Sequence, residues 1–401
     1  MSSPTTPKPS PKIDRFLRLM TTRGASDLHL TVGRPPMLRV SGSMEPIRYR
    51  TLTEADFVDL VRPAVAERLW NEFTESGDTD LSYEVAGLAR FRVNLFRQQR
   101  GSGAVFRIIP TKIMTLEQLG MPDAISRLAQ IRSGLVLVTG PTGSGKSTTL
   151  AAIINLINET YGLHAITIED PIEFVHPAKK CLIHQREIGE HATSFAEALK
   201  AAGREDPDLI LVGEMRDVET IAMALSAAEK GTIVFGTLHT NNASKTVDRI
   251  ISVFPAAEQD GIRNVLGDAL RAVVAQQLIP RLGGGRVAAI EILFCSPAIG
   301  NMIREGKISQ ITSAIQTGVK EGMIDMDSSI RKLYEEKKIS ARAAYDKAID
   351  KAAFKDIMDE SGPSATAGTQ RPQPPAQTAP RPQAVAPGPT PPTPPARPNR
   401  G

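Results

Sequence analysis

Two rhythms of apolar and polar residues divide this chain. From Ile13 to about Pro110, apolar positions mostly alternate with polar ones. Asp27-Leu-His-Leu-Thr-Val32, Asp80-Leu-Ser-Tyr-Glu-Val85, Arg90-Phe-Arg-Val-Asn-Leu-Phe96 and Gly103-Ala-Val-Phe-Arg-Ile-Ile109 put every second side chain on one face, as half-buried strands do. Met37-Leu-Arg-Val40 is a further strand, and turn residues separate these segments as hairpins require. Phe16, Leu17 and Met20 are spaced as a short amphipathic helix. Thr53 opens a second helix, with Asp56 at capping-box spacing, that runs toward Trp70-Asn-Glu-Phe73.

From Met121 the rhythm changes. Short apolar runs at Leu135–Val138, Ala165–Ile168, Leu209–Val212, Thr232–Leu238 and Ala288–Leu293 alternate with helical segments, notably Ser147–Glu159, Ser194–Gly203 and Val218–Lys230. That alternation predicts an α/β domain with a mainly parallel sheet. Beyond Ser296 the chain reads as charged and helical to about Asp359. The expected organisation is a disordered start (1–12), an α+β domain (13–110), a connector (111–120), an α/β domain with a helical C-terminal part (121–360) and a Pro-rich, low-complexity tail (361–401). The tail reads either as a flexible extension or as a ligand for an aromatic groove.

Composition sharpens this only in part. The 401 residues are 41% hydrophobic, ordinary for a protein with a good core, and carry a formal net charge of +4. Arg371, Arg381, Arg397 and Arg400, in a tail with no acid, account for all of that charge. The folded part is therefore near neutral, and nucleic acid is not an expected partner. Cys181 and Cys295 are too few and too far apart for a structural zinc site, and suit a reducing cytoplasm. The start of the chain lacks the apolar core of a signal peptide. No apolar run approaches the roughly 18 residues that span a bilayer, so membrane contact is expected to be peripheral.

The chemistry concentrates at the ends of the apolar runs. After Leu135–Val138 come Gly140, Pro141, Thr142, Gly143, Ser144, Gly145, Lys146 and Ser147, then Thr148. This is G-x-x-x-x-G-K-[ST] between a strand and a helix, the context that identifies a phosphate-binding loop. Its glycines let backbone N–H groups curl around phosphate oxygens, Lys146 adds a cation, and Ser147 offers a hydroxyl to Mg²⁺. Glu169 and Asp170 end the run at Ile166-Thr-Ile168, and Gly213-Glu214 ends Leu209–Val212. Carboxylates at strand ends of an open α/β sheet face its ligand, where one can polarise water and another can serve the metal. These residues alone leave open which of Glu169 and Glu214 is the base. His239, after Val234-Phe-Gly-Thr-Leu238, suits γ-phosphate sensing or ordering of a carboxylate. Arg90, Arg92, Arg97, Arg100 and Arg107 cluster in the first domain. Such charges are either solvated or, with Arg92 and Arg107 among them, reach a nucleotide on a neighbouring subunit as arginine fingers do.

Together these motifs resemble the secretion ATPase superfamily, and within it the type IV pilus retraction ATPases (PilT family), over about Ile13 to Asp359. The segments that carry the likeness are Ala25-Ser-Asp-Leu-His-Leu30, Arg90-Phe-Arg-Val-Asn94 with Gly103-Ala-Val-Phe-Arg107, Thr167-Ile-Glu-Asp-Pro-Ile-Glu173, Arg204-Glu-Asp-Pro-Asp-Leu-Ile-Leu-Val-Gly-Glu-Met-Arg-Asp217 and Gly236-Thr-Leu-His-Thr240. The resemblance implies a RecA-like P-loop ATPase domain behind a smaller PAS-like α+β domain. It also implies a hexameric ring with ATP between subunits, and work done by rotation of the domains. By the same resemblance Glu169 is the general base, and Glu214 serves Mg²⁺ through water. The implied partners are an inner-membrane pilus platform protein at the cytoplasmic base of the pilus and a paralogous retraction ATPase.

Two positions depart from the family pattern: Thr232 follows Gly231 where a histidine is usual, and Gly300 replaces arginine in Ala298-Ile-Gly-Asn-Met-Ile-Arg-Glu305. They leave open a main retraction motor or an accessory paralogue of the PilU kind. An assembly or type II secretion ATPase, and a ring subunit that binds ATP without hydrolysing it, are the remaining alternatives.

Overall fold

The alternating segments of the first third pair into one antiparallel sheet. In a computed structural model that describes residues 11–40, 42–109 and 113–360, its strands are β1 (Asp27–Thr31), β2 (Met37–Val40), β3 (Ser43–Pro46), β4 (Asp78–Val85), β5 (Ala89–Gln98) and β6 (Gly101–Ile109), ordered β3-β2-β1-β6-β5-β4. Alternation gives the sheet one apolar face: Leu28, Leu30, Phe91, Val93, Leu95, Ala104 and Phe106 are buried there. The helices α1 (Ile13–Thr22), α2 (Glu54–Val61) and α3 (Glu67–Ser76) contribute Leu17, Met20, Phe57 and Phe73 to the same core.

The second helix is broken where the sequence reading ran it on. Arg62–Ala64 forms a 3₁₀ turn between α2 and α3. Pro63 has no N–H for a helical bond and its ring crowds the preceding turn. The capping box at Thr53 is present, with Asp56 N donating to Thr53 Oγ1 (3.2 Å) and Thr53 N to Asp56 Oδ2 (3.0 Å). The exposed strand β3 had no apolar pattern to announce it.

A seven-stranded sheet forms the second layer system. Its strands are β7 (Gly134–Thr139), β8 (His164–Glu169), β9 (Leu182–Glu187), β10 (Leu209–Val212), β11 (Ile233–Leu238), β12 (Leu270–Pro280) and β13 (Arg286–Phe294). The order is β13-β12-β7-β11-β10-β8-β9, parallel except for the β12–β13 pair. Val136 and Val138 face a core built with Leu150, Ile153 and Ile157 of α4 (Lys146–Thr160). Leu135 and Leu137 face the opposite core. That core is covered by α5 (Phe195–Ala202), α6 (Val218–Glu229), α7 (Ala243–Ser252), α8 (Gln259–Ala269), α9 (Pro297–Arg304) and α10 (Ile311–Thr317). Burial on both faces is why these runs are apolar throughout. The helices α11 (Met326–Glu335), α12 (Ala341–Lys347) and α13 (Lys355–Glu360) follow, and Met326, Ile330 and Ala344 close on Ala275, Ile279 and Ala289.

Two strands of this sheet escaped the sequence reading, as β3 did in the other. β9 is an edge strand of mixed polarity. β12 follows α8 with no turn residue between, and Gln276 and Gln277 interrupt its apolar run. Residues 1–10, the first two residues of the expected connector and the Pro-rich stretch 361–401 lie outside the described residues. Among the described residues, no helix is long and apolar enough to cross a membrane.

Candidate functional site

The strand β7 is buried throughout and delivers the chain to a loop that ends where α4 begins at Lys146. Two glycines shape this loop. Gly140 has φ 145° and Gly145 has φ 90°, backbone settings that favour glycine. A Cβ on Gly140 would fall 2.2 Å from the Gln276 carbonyl oxygen, and one on Gly145 would fall 2.8 Å from Gln276 Nε2. The loop is thus pressed against β12, and α4 presents its first N–H groups to whatever the loop encloses, an arrangement suited to anions.

Gln276 is the brace beneath the loop. Its side chain is buried, with Nε2 donating to Ser144 O (2.8 Å) and Oε1 accepting from Thr149 Oγ1 (2.8 Å). The sequence reading missed it; the available signal was a polar side chain inside an apolar run. Lys146 Nζ donates to the carbonyls of Gly140 (2.9 Å) and Pro141 (3.3 Å) across the mouth of the loop. Burial lowers the pKa of this amine, while Glu214 and Glu173 pull it back up.

Parallel pairing lines up the ends of β8, β10 and β11 beside the loop. From β8, Glu169 accepts from Thr167 Oγ1 (2.7 Å) and Glu173 N (3.2 Å). Burial raises its carboxyl pKa above the ordinary value, outweighing these hydrogen bonds. After β10, Glu214 accepts from Arg216 Nε (2.5 Å) and meets His239 Nε2 at 2.9 Å. Burial again pulls upward, but Arg216 and His239 together outweigh it, and the Glu214 pKa falls below its usual value. Two carboxylates on neighbouring strands are therefore driven apart in acidity. Gly213 also finds its reason here. A Cβ at that position would lie 3.0 Å from Ile168 O and 3.2 Å from Glu169 Cα, so a larger residue would push against the backbone that carries Glu169.

These groups line one cleft of about 660 Å³. Thr142 to Thr148, Glu169, Glu214 and His239 share it, and the first domain adds Asp80 and Arg92. Arg216 and Arg286 also line it, and the sequence reading assigned neither to the site. Gly140 and Pro141 form the start of the loop and offer their carbonyls to Lys146 rather than lining the cleft. Two arginines of the first domain fall elsewhere in this chain. Arg107 Nε donates to Asp27 Oδ1 (2.7 Å) within the antiparallel sheet, away from the cleft. Arg90 is bound to Glu187, and its side chain is only 18% exposed, so it is not free to act as a finger.

The cradle fits a nucleotide's phosphates: its glycines leave no Cβ in the way, and Lys146 and the α4 N-terminus complement negative charge. Among the described residues there is no cluster of three or more His, Cys, Asp or Glu able to hold a metal. Ser147 with Glu214 suits a magnesium ion that takes most of its ligands from phosphate and water.

The two departures from the expected pattern lie away from this cleft. Thr232 precedes the first residue of β11 and accepts from Gly134 N (3.1 Å), at the end of the strand opposite His239. Gly300 lies where α9 crosses α8: a Cβ there would come within 2.6 Å of Gly267 O. An arginine at 300 would not fit this crossing.

Residues 9–361 match the family model described as type II/IV secretion system protein. The chain is 52% identical over 336 residues to the type IV pilus retraction ATPase PilT of Pseudomonas aeruginosa, covering 84% of this chain and 98% of that one. It is 38% identical over 330 residues to the type IV pilus ATPase PilU of the same organism, covering 82% and 86%. Among solved structures, the pilus retraction motor PilT with bound ADP superposes with a TM-score of 0.81 at 43% identity, covering 87% of this chain and 100% of that one.

Proposed function

Since the chain belongs to the type II/IV secretion system protein family and, within it, to the type IV pilus retraction ATPases, we propose that the cleft hydrolyses ATP to drive pilus retraction, with distinct roles for its residues. One observation carries those roles: Lys146, Glu169, Glu214 and His239 converge on a single cleft, with the two carboxylates shifted in opposite directions. Paired groups whose environments separate their acidities divide the labour of acid–base chemistry. Glu169, with its raised pKa, is the better proton acceptor for an attacking water. Glu214, held ionised by Arg216 and His239, suits a water on magnesium.

The loop N–H groups from Gly143 to Thr148 and the Lys146 ammonium hold the phosphates. Ser147 and, through water, Glu214 would hold Mg²⁺, which would neutralise charge on the phosphate oxygens. His239 keeps Glu214 aimed. Arg92 brings the first domain to the same cleft, so closure of the two domains and occupancy of the site are linked. The likeness to the pilus retraction ATPases, rather than the cleft, extends this reading to a ring: a hexamer in the cytoplasm, docked on an inner-membrane platform protein and working with a paralogous ATPase.

The main-motor reading is favoured over an accessory one because neither Thr232 nor Gly300 touches the cleft. The purified protein is expected to show magnesium-dependent ATPase activity that is lost in Lys146→Ala and in Glu214→Ala. Normal turnover in either variant overturns these roles. Deleting the gene is expected to leave hyperpiliated cells that do not twitch; bald cells would instead indicate an assembly ATPase.

A further inference from the structure

A buried carboxylate that the proposed chemistry does not use joins the two domains. Glu187, at the end of β9, is only 5% exposed. Its Oε1 accepts from Ser82 Oγ of β4 (2.6 Å), and its Oε2 from Arg90 Nη2 of β5 (2.5 Å). The same Oε2 accepts from Ile172 N (3.2 Å), in the loop that follows Glu169. The first domain also grips the turn after β9, where Arg68 Nη2 donates to Gly189 O (2.6 Å).

Glu187 is tied to Glu169 from two sides. The parallel β8–β9 register places Glu169 opposite Glu187, and Ile188 N donates to Glu169 O (2.9 Å). One residue beyond Ile172, Glu173 N donates to Glu169 Oε2. The loop that orients the Glu169 carboxylate is therefore pinned by Glu187, whose cationic partner among the described residues is Arg90 of the first domain. A buried carboxylate stripped of its cationic partner is costly to keep in place. Moving Arg90 away would thus release Glu187, and with it the Ile172 N–H.

We propose that Glu187 is a positioning residue that couples the seating of the first domain, through Arg90 and Ser82, to the aim of Glu169. Turnover is then gated by domain orientation: the base is held in line when the first domain is docked on β9, and released when it rotates. The inference rests on the reading of Glu169 as base.

The test uses the full-length protein and steady-state ATPase kinetics, with active sites counted by ADP titration. Arg90→Ala is expected to lower kcat by roughly ten- to a hundred-fold while KM for ATP changes by less than about two-fold, the signature of an interaction used in turnover rather than in binding. Arg90→Lys should recover part of kcat. Because the two residues act as one unit, the Arg90→Ala/Glu187→Gln double variant should be no slower than its slower single variant. Unchanged kcat, a KM that rises in step with any loss, or additive losses would each overturn the proposal. If Arg90→Ala does not fold, Ser82→Ala carries the same test, with an expected loss of a few-fold on the strength of one hydrogen bond. Glu169→Gln in the same assay separates the two readings: normal turnover there removes the base assignment itself, whereas a dead Glu169→Gln beside a normal Arg90→Ala removes only the coupling.

Discussion

His239 Nε2 lies 2.9 Å from Glu214 Oε1, across 25 residues of sequence. The contact exists because β10 and β11 are parallel neighbours whose ends emerge together. A hydrogen bond to a charged group contributes about 1.5–3 kcal/mol. Loss of that much at the transition state corresponds to roughly ten- to a hundred-fold in rate. His239→Ala should therefore lower kcat by that factor while leaving nucleotide affinity nearly intact. A fluorescent ADP titration beside an ATPase assay checks both halves; equal losses in affinity and rate would place His239 in binding instead.

Gln276 should matter to stability and binding together. Its replacement by alanine leaves Ser144 O and Thr149 Oγ1 without their buried partner, at a cost of about 1–3 kcal/mol. Urea unfolding of Gln276→Ala should register that loss. Nucleotide should recover part of it, because ligand binding favours the ordered loop.

With Glu169 as the proposed base, its raised pKa is expected to set the acid limb of the activity profile. A general base works only when deprotonated, so kcat should fall as pH drops through a pKa above the ordinary carboxylate value. The Thr167 hydroxyl favours the charged form. Thr167→Val removes it and should move the acid limb to higher pH. A limb that stays in place in Thr167→Val would mean that Glu169 does not set it.

Glu291 supplies a pH dependence of stability rather than of rate. It is buried on β13, accepts from Ala243 N (2.6 Å), and burial pushes its pKa up to about 7, with Asp325 and Asp327 adding to the rise and the N–H groups of Ala243 and Met326 opposing it. A carboxyl whose folded pKa exceeds its unfolded value binds its proton more tightly when folded. The stability from this group is then fully present below the unfolded value of about 4.3, and is lost as pH rises through about 7. Urea unfolding at pH 5 and pH 8 should show wild type losing stability between the two, and Glu291→Gln losing distinctly less.

Much of what lines the candidate cleft was legible in the sequence because each part is local. The loop from Gly140 to Ser147 needs only a strand before it and a helix after it, and both are written in neighbouring residues. Glu169, Glu214 and His239 were legible for a related reason: each ends an apolar run, and parallel sheets collect strand ends. The relation between them was not legible, since periodicity gives no strand order. Gln276 escaped because its partner Ser144 is 132 residues away. Arg90, open in the sequence to a solvated or a finger reading, is neither in this chain, because its partner Glu187 lies 97 residues on and meets it only in the folded structure.

By itself, the sequence determined the periods of the elements, the phosphate loop and the chemical groups at the strand ends, because these depend on neighbouring residues and on backbone geometry. Tertiary structure alone decided which groups share a cleft, which carboxylate is pushed up and which is held down. It also decided which arginines are spent inside their own chain. Burial and ion pairing set these outcomes, and both act between groups far apart in sequence that become neighbours only once the sheets close.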